Sequence, residues 1–104
     1  MTVYVDDMRR RATVGRMTAR WSHLTADTDD ELHAFAARLG IPRRWAQFPG
    51  TWKSHYDVTD QQRVEAIDAG AIPIGYTSSL AAETLREKRA AMPRSAQLTL
   101  RLEF

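Results

Sequence analysis

The chain has 104 residues, enough for one modest core, with 43% hydrophobic and 27% charged residues, a balance that argues against disorder. It has no cysteine, which excludes disulfides, thiolate chemistry and Cys-ligated zinc. The net charge is only +2, but residues 8–20 hold five arginines and no acid, and Arg43, Arg44 and Lys53 form a second basic cluster. Such asymmetry can mark a phosphate-bearing partner; its plain alternative is a solvated basic loop. No apolar run approaches the ~20 residues of a membrane span. Asp6, Asp7 and Arg9 to Arg11 interrupt any signal-peptide core. A soluble cytoplasmic protein is the expectation.

Thr2 to Val5 reads as a short buried strand that stops at Asp6-Asp7. Residues 8–18 are polar and without clear period, so a basic loop is expected there. Ala19 to Thr25 resumes strand character, with Trp21, His23 and Thr25 on one face and Ser22 and Leu24 on the other. Both faces are mixed, so the alternation does not say which is buried.

Thr28 followed by Glu31 is a capping-box pattern, and Asp29 and Asp30 suit the positive end of a helix dipole. Leu32, Phe35, Ala36 and Leu39 then form one apolar stripe, closed by Gly40 and Pro42. Residues 41–54, with two tryptophans and two prolines, have no consistent period. Arg44 to Phe48 could contain a short strand, and His55 to Val58 another. Thr59 and Gln62 repeat the capping-box pattern, Val64 and Ile67 with Ala66 or Ala71 supply a narrow apolar face, and Gly70 ends the helix.

Ala71 to Tyr76 reads as a strand whose Pro73 places it at an edge or at its own start. Ser78 or Ser79 caps a third helix running to about Met92. Gln97 to Phe104 alternates Leu98, Leu100, Leu102 and Phe104 against polar residues, a half-buried strand able to pair with a second copy as a homodimer. The expected fold is a single small α/β domain over residues 1–104, a mixed, mostly parallel sheet of four to five strands with about three helices.

Three stretches carry groups able to do chemistry. Asp6 and Asp7 stand where a strand ends, a usual place for a site in α/β sheets. A carboxylate there could bind a cation, accept a hydrogen bond or act as a base; the plain reading is a turn and an Arg pair. His23 has Asp27 four residues on, which could orient the ring or cap the helix. His33 lies off the apolar stripe and reads as a surface residue. His55 and Asp57 are two apart, so in an extended chain both point the same way, which suits a shared metal ion or a base–carboxylate pair. Tyr56 then faces the core.

Two functions follow from these groups. Asp6, His23, His55 and Asp57 could hold a divalent metal that activates water against a phosphoester, with Arg9, Arg16 and Arg20 attracting the substrate. Alternatively, His23 or His55 would be a general base without metal. A non-catalytic module would instead bind nucleic acid or a nucleotide through Arg9 to Arg20 and the Trp45–Trp52 loop, where Trp45, Phe48 and Trp52 stand among Arg43, Arg44 and Lys53; the plain alternative is an aromatic loop packed over a small core. No HExxH, EF-hand, P-loop or GxGxxG pattern is present.

The pieces Val3-Tyr4-Val5-Asp6-Asp7, Trp21-Ser22-His23-Leu24-Thr25-Ala26-Asp27, Glu31-Leu32-His33-Ala34-Phe35-Ala36 and His55-Tyr56-Asp57-Val58-Thr59 resemble domain of unknown function 4031. That family comprises small proteins of actinobacteria and their phages. The likeness covers most of residues 1–74; Arg9-Arg10-Arg11 and the segment after Met92 lie outside it. It brings no established activity, but implies that Asp6, His23, Asp27, His55 and Asp57 are the positions to test first. A third reading is a phage-type interaction protein that docks on a host protein through its C-terminal strand.

Overall fold

The computed structural model describes residues 2–78, 81–83, 86, 87 and 90. Its elements are β1 (Val3–Val5), β2 (Arg10–Val14), β3 (Met17–Ala26), α1 (Asp29–Arg38), a 3-10 turn (Arg43–Trp45), β4 (Tyr56–Thr59), α2 (Asp60–Asp68) and β5 (Ile72–Pro73). The expected third helix is present in part: residues 81–83, 86, 87 and 90 are helical, and Ser78 Oγ accepts from Ala81 N–H at 3.2 Å. The remainder of that helix, and the Gln97–Phe104 strand with its suggested dimer edge, lie outside the described residues.

Residues 10–18 are not a loop. They form most of a β-hairpin whose turn is made by Gly15, at φ +61, and Arg16. All five residues of β2 are exposed, so the strand has no apolar face to give it a period.

The ten-residue β3 is the axis of the sheet. Trp21 pairs with both Arg10 and Thr59, and Leu24 with both Val5 and Tyr56. β1 and β2 therefore follow one another along one side of β3, while β4 runs along the other. β5 lies outside β1, parallel to it, and its Pro73 sits at the sheet edge where the missing N–H costs no ladder bond.

The sheet is mixed and five-stranded, as expected, but it is mostly antiparallel, with β1–β5 the one parallel pair among the described residues. The difference comes from β3, which runs antiparallel to β1, β2 and β4, with only the β2–β3 pair joined by a two-residue turn.

One face of the sheet makes the core. Ser22, Leu24 and Ala26 of β3, with Val5, Tyr56 and Val58, are buried against Leu32, Phe35 and Ala36 of α1 and Ala66 of α2. Each fully buried aliphatic or aromatic side chain of this kind stabilises by ~1.5–3 kcal/mol. The alternation left open in the sequence is thereby resolved: Trp21, His23 and Thr25 occupy the half-buried opposite face.

The helix starts form at the expected residues. Thr59 and Gln62 complete a reciprocal capping box, whereas Thr28 accepts from Glu31 N–H at 3.3 Å without the return bond. Val64 is not part of the α2 apolar face; it is 55% exposed, and Ala66 and Ile67 make the contact. The Arg44 to Phe48 segment holds the 3-10 turn and a single bridge, Gln47 with His55, in place of a strand. His33 is not a surface residue: its Nδ1 lies 2.7 Å from the hydroxyl of Tyr56, which is fully buried. A buried phenol needs a polar partner, and a histidine one turn into α1 supplies it.

Candidate functional site

Between β1 and β2 the chain makes a bulge. Val5 faces Leu24 and Asp6 bonds to His23, but Arg10 faces Trp21, so two extra residues lie between these pairings. Arg9 absorbs the mismatch with φ +48, a left-handed conformation costly to a residue with a Cβ. The bulge redirects Asp6. Its backbone N–H donates to His23 O at 3.0 Å in the usual way. The returning His23 N–H, however, donates to the Asp6 carboxylate Oδ1 at 2.9 Å, while the Asp6 carbonyl accepts from Arg63 Nε of α2 at 2.8 Å. Oδ1 also accepts from Met8 N–H at 3.2 Å, and Oδ2 lies 2.7 Å from His23 Nδ1.

On the other side of His23, β4 places Asp57 directly opposite it in the register. His55, two residues earlier and bonded through its backbone to Gln47, puts Nε2 3.4 Å from Asp57 Oδ1. The two imidazoles meet edge to face, with centroids 5.0 Å apart. One ligand atom from each of His23, His55 and Asp57 falls within 4.8 Å of the others.

Hydrogen bonds assign both tautomers. His55 Nδ1 lies 2.7 Å from Lys53 O, and a carbonyl only accepts, so Nδ1 carries the proton. His23 Nδ1 donates in the same way to the Asp6 carboxylate. In the neutral form of each ring the lone pair is then on Nε2; in His55 that atom lies 3.4 Å from Asp57 Oδ1, a contact of two acceptors that calls for a proton or a shared cation between them.

The electrostatics fit this arrangement. Burial pushes the Asp6 carboxyl up, but the bonds from the His23 ring and from the His23 and Met8 amides hold it below its usual range. Burial pushes His23 down; its bond to Asp6 and the charges of Asp6 and Asp57 outweigh that, despite opposition from the Lys53 ammonium, and the ring rises above its usual value. The His55 contact holds the Asp57 carboxyl low against the effect of burial.

Three of the four expected metal ligands, His23, His55 and Asp57, thus converge. Asp6 does not join them; both its oxygens are engaged behind His23, because the bulge turns them toward the strand. Asp27 neither orients His23 nor caps α1. Its carboxylate accepts from Thr2 N–H and Tyr4 OH and ties the start of β1 to the end of β3.

Arg9 is held in a bidentate pair with Asp60, at 3.1 and 2.8 Å, so its guanidinium does not face the trio. Arg16, Arg20, Arg44 and Trp45 line one open groove of about 1030 Å³, and Asp57 lines it too. Sequence reasoning missed Tyr76, whose ring stacks on His23 at 5.6 Å and 25° while Asp7 holds its backbone N–H at 2.8 Å. Residues 53 positions apart carry no local signal for such a contact.

Among the described residues no helix is long and apolar enough to cross a membrane. No curated protein and no solved structure matches the chain. A family model described as "Protein of unknown function (DUF4031)" matches residues 3–88, which include every residue of this site, and the chain belongs to that family.

Proposed function

We propose that His23, His55 and Asp57 hold a divalent transition-metal ion and that the centre acts on a phosphate-bearing ligand in the adjoining groove. The observation that carries this reading is the pair of anchored imidazoles, each with Nδ1–H on an acceptor and its other nitrogen left to ligate, that of His55 already 3.4 Å from Asp57 Oδ1. Metal-binding histidines are oriented in this manner by a carboxylate or a carbonyl. Two nitrogens and one carboxylate oxygen suit zinc and its neighbours better than magnesium or calcium, which take oxygen.

Three protein donors leave coordination space, and an ion held there would supply a water acidic enough to attack near neutral pH. The residues of the chain do the rest. Asp6 fixes the His23 ring, Lys53 O fixes His55, and the Arg16, Arg20 and Arg44 guanidiniums draw a phosphate toward the Asp57 end of the groove.

Metal titration of the chelator-stripped protein tests the reading. One zinc or cobalt ion should bind per chain, cobalt with the visible absorption of a low-coordinate nitrogen–oxygen site. His55→Ala and Asp57→Ala should abolish it, and hydrolysis of an activated phosphodiester should follow metal occupancy. Absence of binding at micromolar metal would refute the centre.

A further inference from the structure

The groove holds groups that a metal and a single phosphate do not require. Two indoles line it: Trp45, 51% exposed with the Arg44 guanidinium 5.9 Å from its ring, and Trp21, whose Nε1–H is satisfied by Ala12 O at 2.9 Å. None of the ion pairs among the described residues involves Arg16, Arg20 or Arg44. Of the acids along the same walls, Asp60 pairs with Arg9 and Asp57 belongs to the trio with His23 and His55, which leaves Glu65. At about 1030 Å³ the groove lies at the upper end of the ~300–1,000 Å³ typical of sites for one small ligand.

From this combination we infer that the ligand is single-stranded nucleic acid. Its phosphates meet Arg16, Arg20 and Arg44, its bases stack on Trp45 and Trp21, which line the same groove, and one end of the bound strand lies at Asp57. Aromatic faces interleaved with cations recognise unpaired bases, because a duplex hides those faces. An acidic peptide would match the arginines but leave the indoles without a flat partner.

The inference rests on the phosphate half of the function proposed above and not on the metal, and its test separates the two. Binding of a fluorescent oligothymidylate is followed by anisotropy in EDTA at low salt, beside the same strand annealed to its complement. Single strand should bind tighter than duplex, with log affinity falling against log salt at a slope of about −2, for three phosphates neutralised at about −0.7 each.

Arg16→Ser, Arg20→Ser and Arg44→Ser combined should flatten that slope toward zero. Trp45→Ala should weaken binding on the order of tenfold with the slope retained. These side chains are exposed, so the variants should melt like the wild type. No single-strand binding in low salt, equal affinity for duplex, or a slope unchanged in the triple variant would each overturn the inference. Metal binding, measured on a separate sample, would stand or fall independently.

Discussion

Asp6→Asn is the sharpest test of the centre, because the geometry dictates how the amide must sit. Oδ1 accepts two backbone N–H groups, from His23 and Met8, so the amide oxygen has to remain there. Reversing it would set an NH2 against two donors. The amide nitrogen therefore replaces Oδ2, 2.7 Å from His23 Nδ1, and faces an N–H with an N–H. His23 relieves the clash by moving its proton to Nε2, the atom that should ligate.

Metal binding must then restore the unfavourable tautomer without a charge-assisted hydrogen bond, a loss of about 1.5–3 kcal/mol. That corresponds to metal affinity weakened by about 10–100-fold, the range known for carboxylates behind ligating histidines. Competition with a chromophoric zinc chelator measures it. The backbone bonds are preserved, so the thermal transition of the variant should stay cooperative. A zinc affinity within about twofold of wild type, in a folded variant, would refute the role given to Asp6.

Three further outcomes are expected. Because the His23 ring lies above its ordinary value, protons compete for it; zinc affinity should fall as pH decreases, beginning above about 6.5, in titrations across the neutral range. In the metal-free protein, the depressed Asp6 contributes stability present above its unfolded value of about 3.9 and lost as pH falls through the folded one. The raised His23 contributes stability present below about 6.5 and lost as pH rises through its folded value; thermal melts against pH should show a maximum between about 4 and 6.5, flattened in Asp6→Asn. Thr59→Ala removes a complete capping box and should cost about 1–2 kcal/mol in urea unfolding, more than Thr28→Ala, which breaks only one half of a box.

The local grammar of the chain was readable, because caps and stripes act within one helical turn. Thr59-Gln62 and Leu32-Phe35-Ala36 formed as their spacing required. His55 and Asp57 were likewise readable as a pair, since a two-residue interval puts both on one face of any extended chain. What local spacing does not encode is which strand lies beside which. The register that sets His23 against Asp57, and the bulge that sends Asp6 behind His23, arise from pairing across β3. The exposed β2 gave no apolar period, although Gly15 flanked by Thr13-Val14 and Met17-Thr18 was a usable turn signal. Asp27 sat four residues from His23, yet a strand end separates them and its partners are on β1. A chain that alternates strands and helices suggests mostly parallel pairing; the central β3, antiparallel to β1, β2 and β4, reverses that balance.

The bulge at Asp6 to Arg9 also divides β3 into two mechanical halves. From Trp21 to Ala26 the strand is held by core packing and by pairing with β4, β1 or both. From Met17 to Arg20 it is held chiefly by β2, whose residues are all exposed. Amide hydrogens on the distal half should therefore exchange through local opening at far lower free energy than those beside His23. The wall bearing Arg16 and Arg20 would then yield to an incoming chain while Asp6, His23 and Asp57 kept their register, so that the proposed capture and the proposed chemistry would draw on separate cooperative units of one strand.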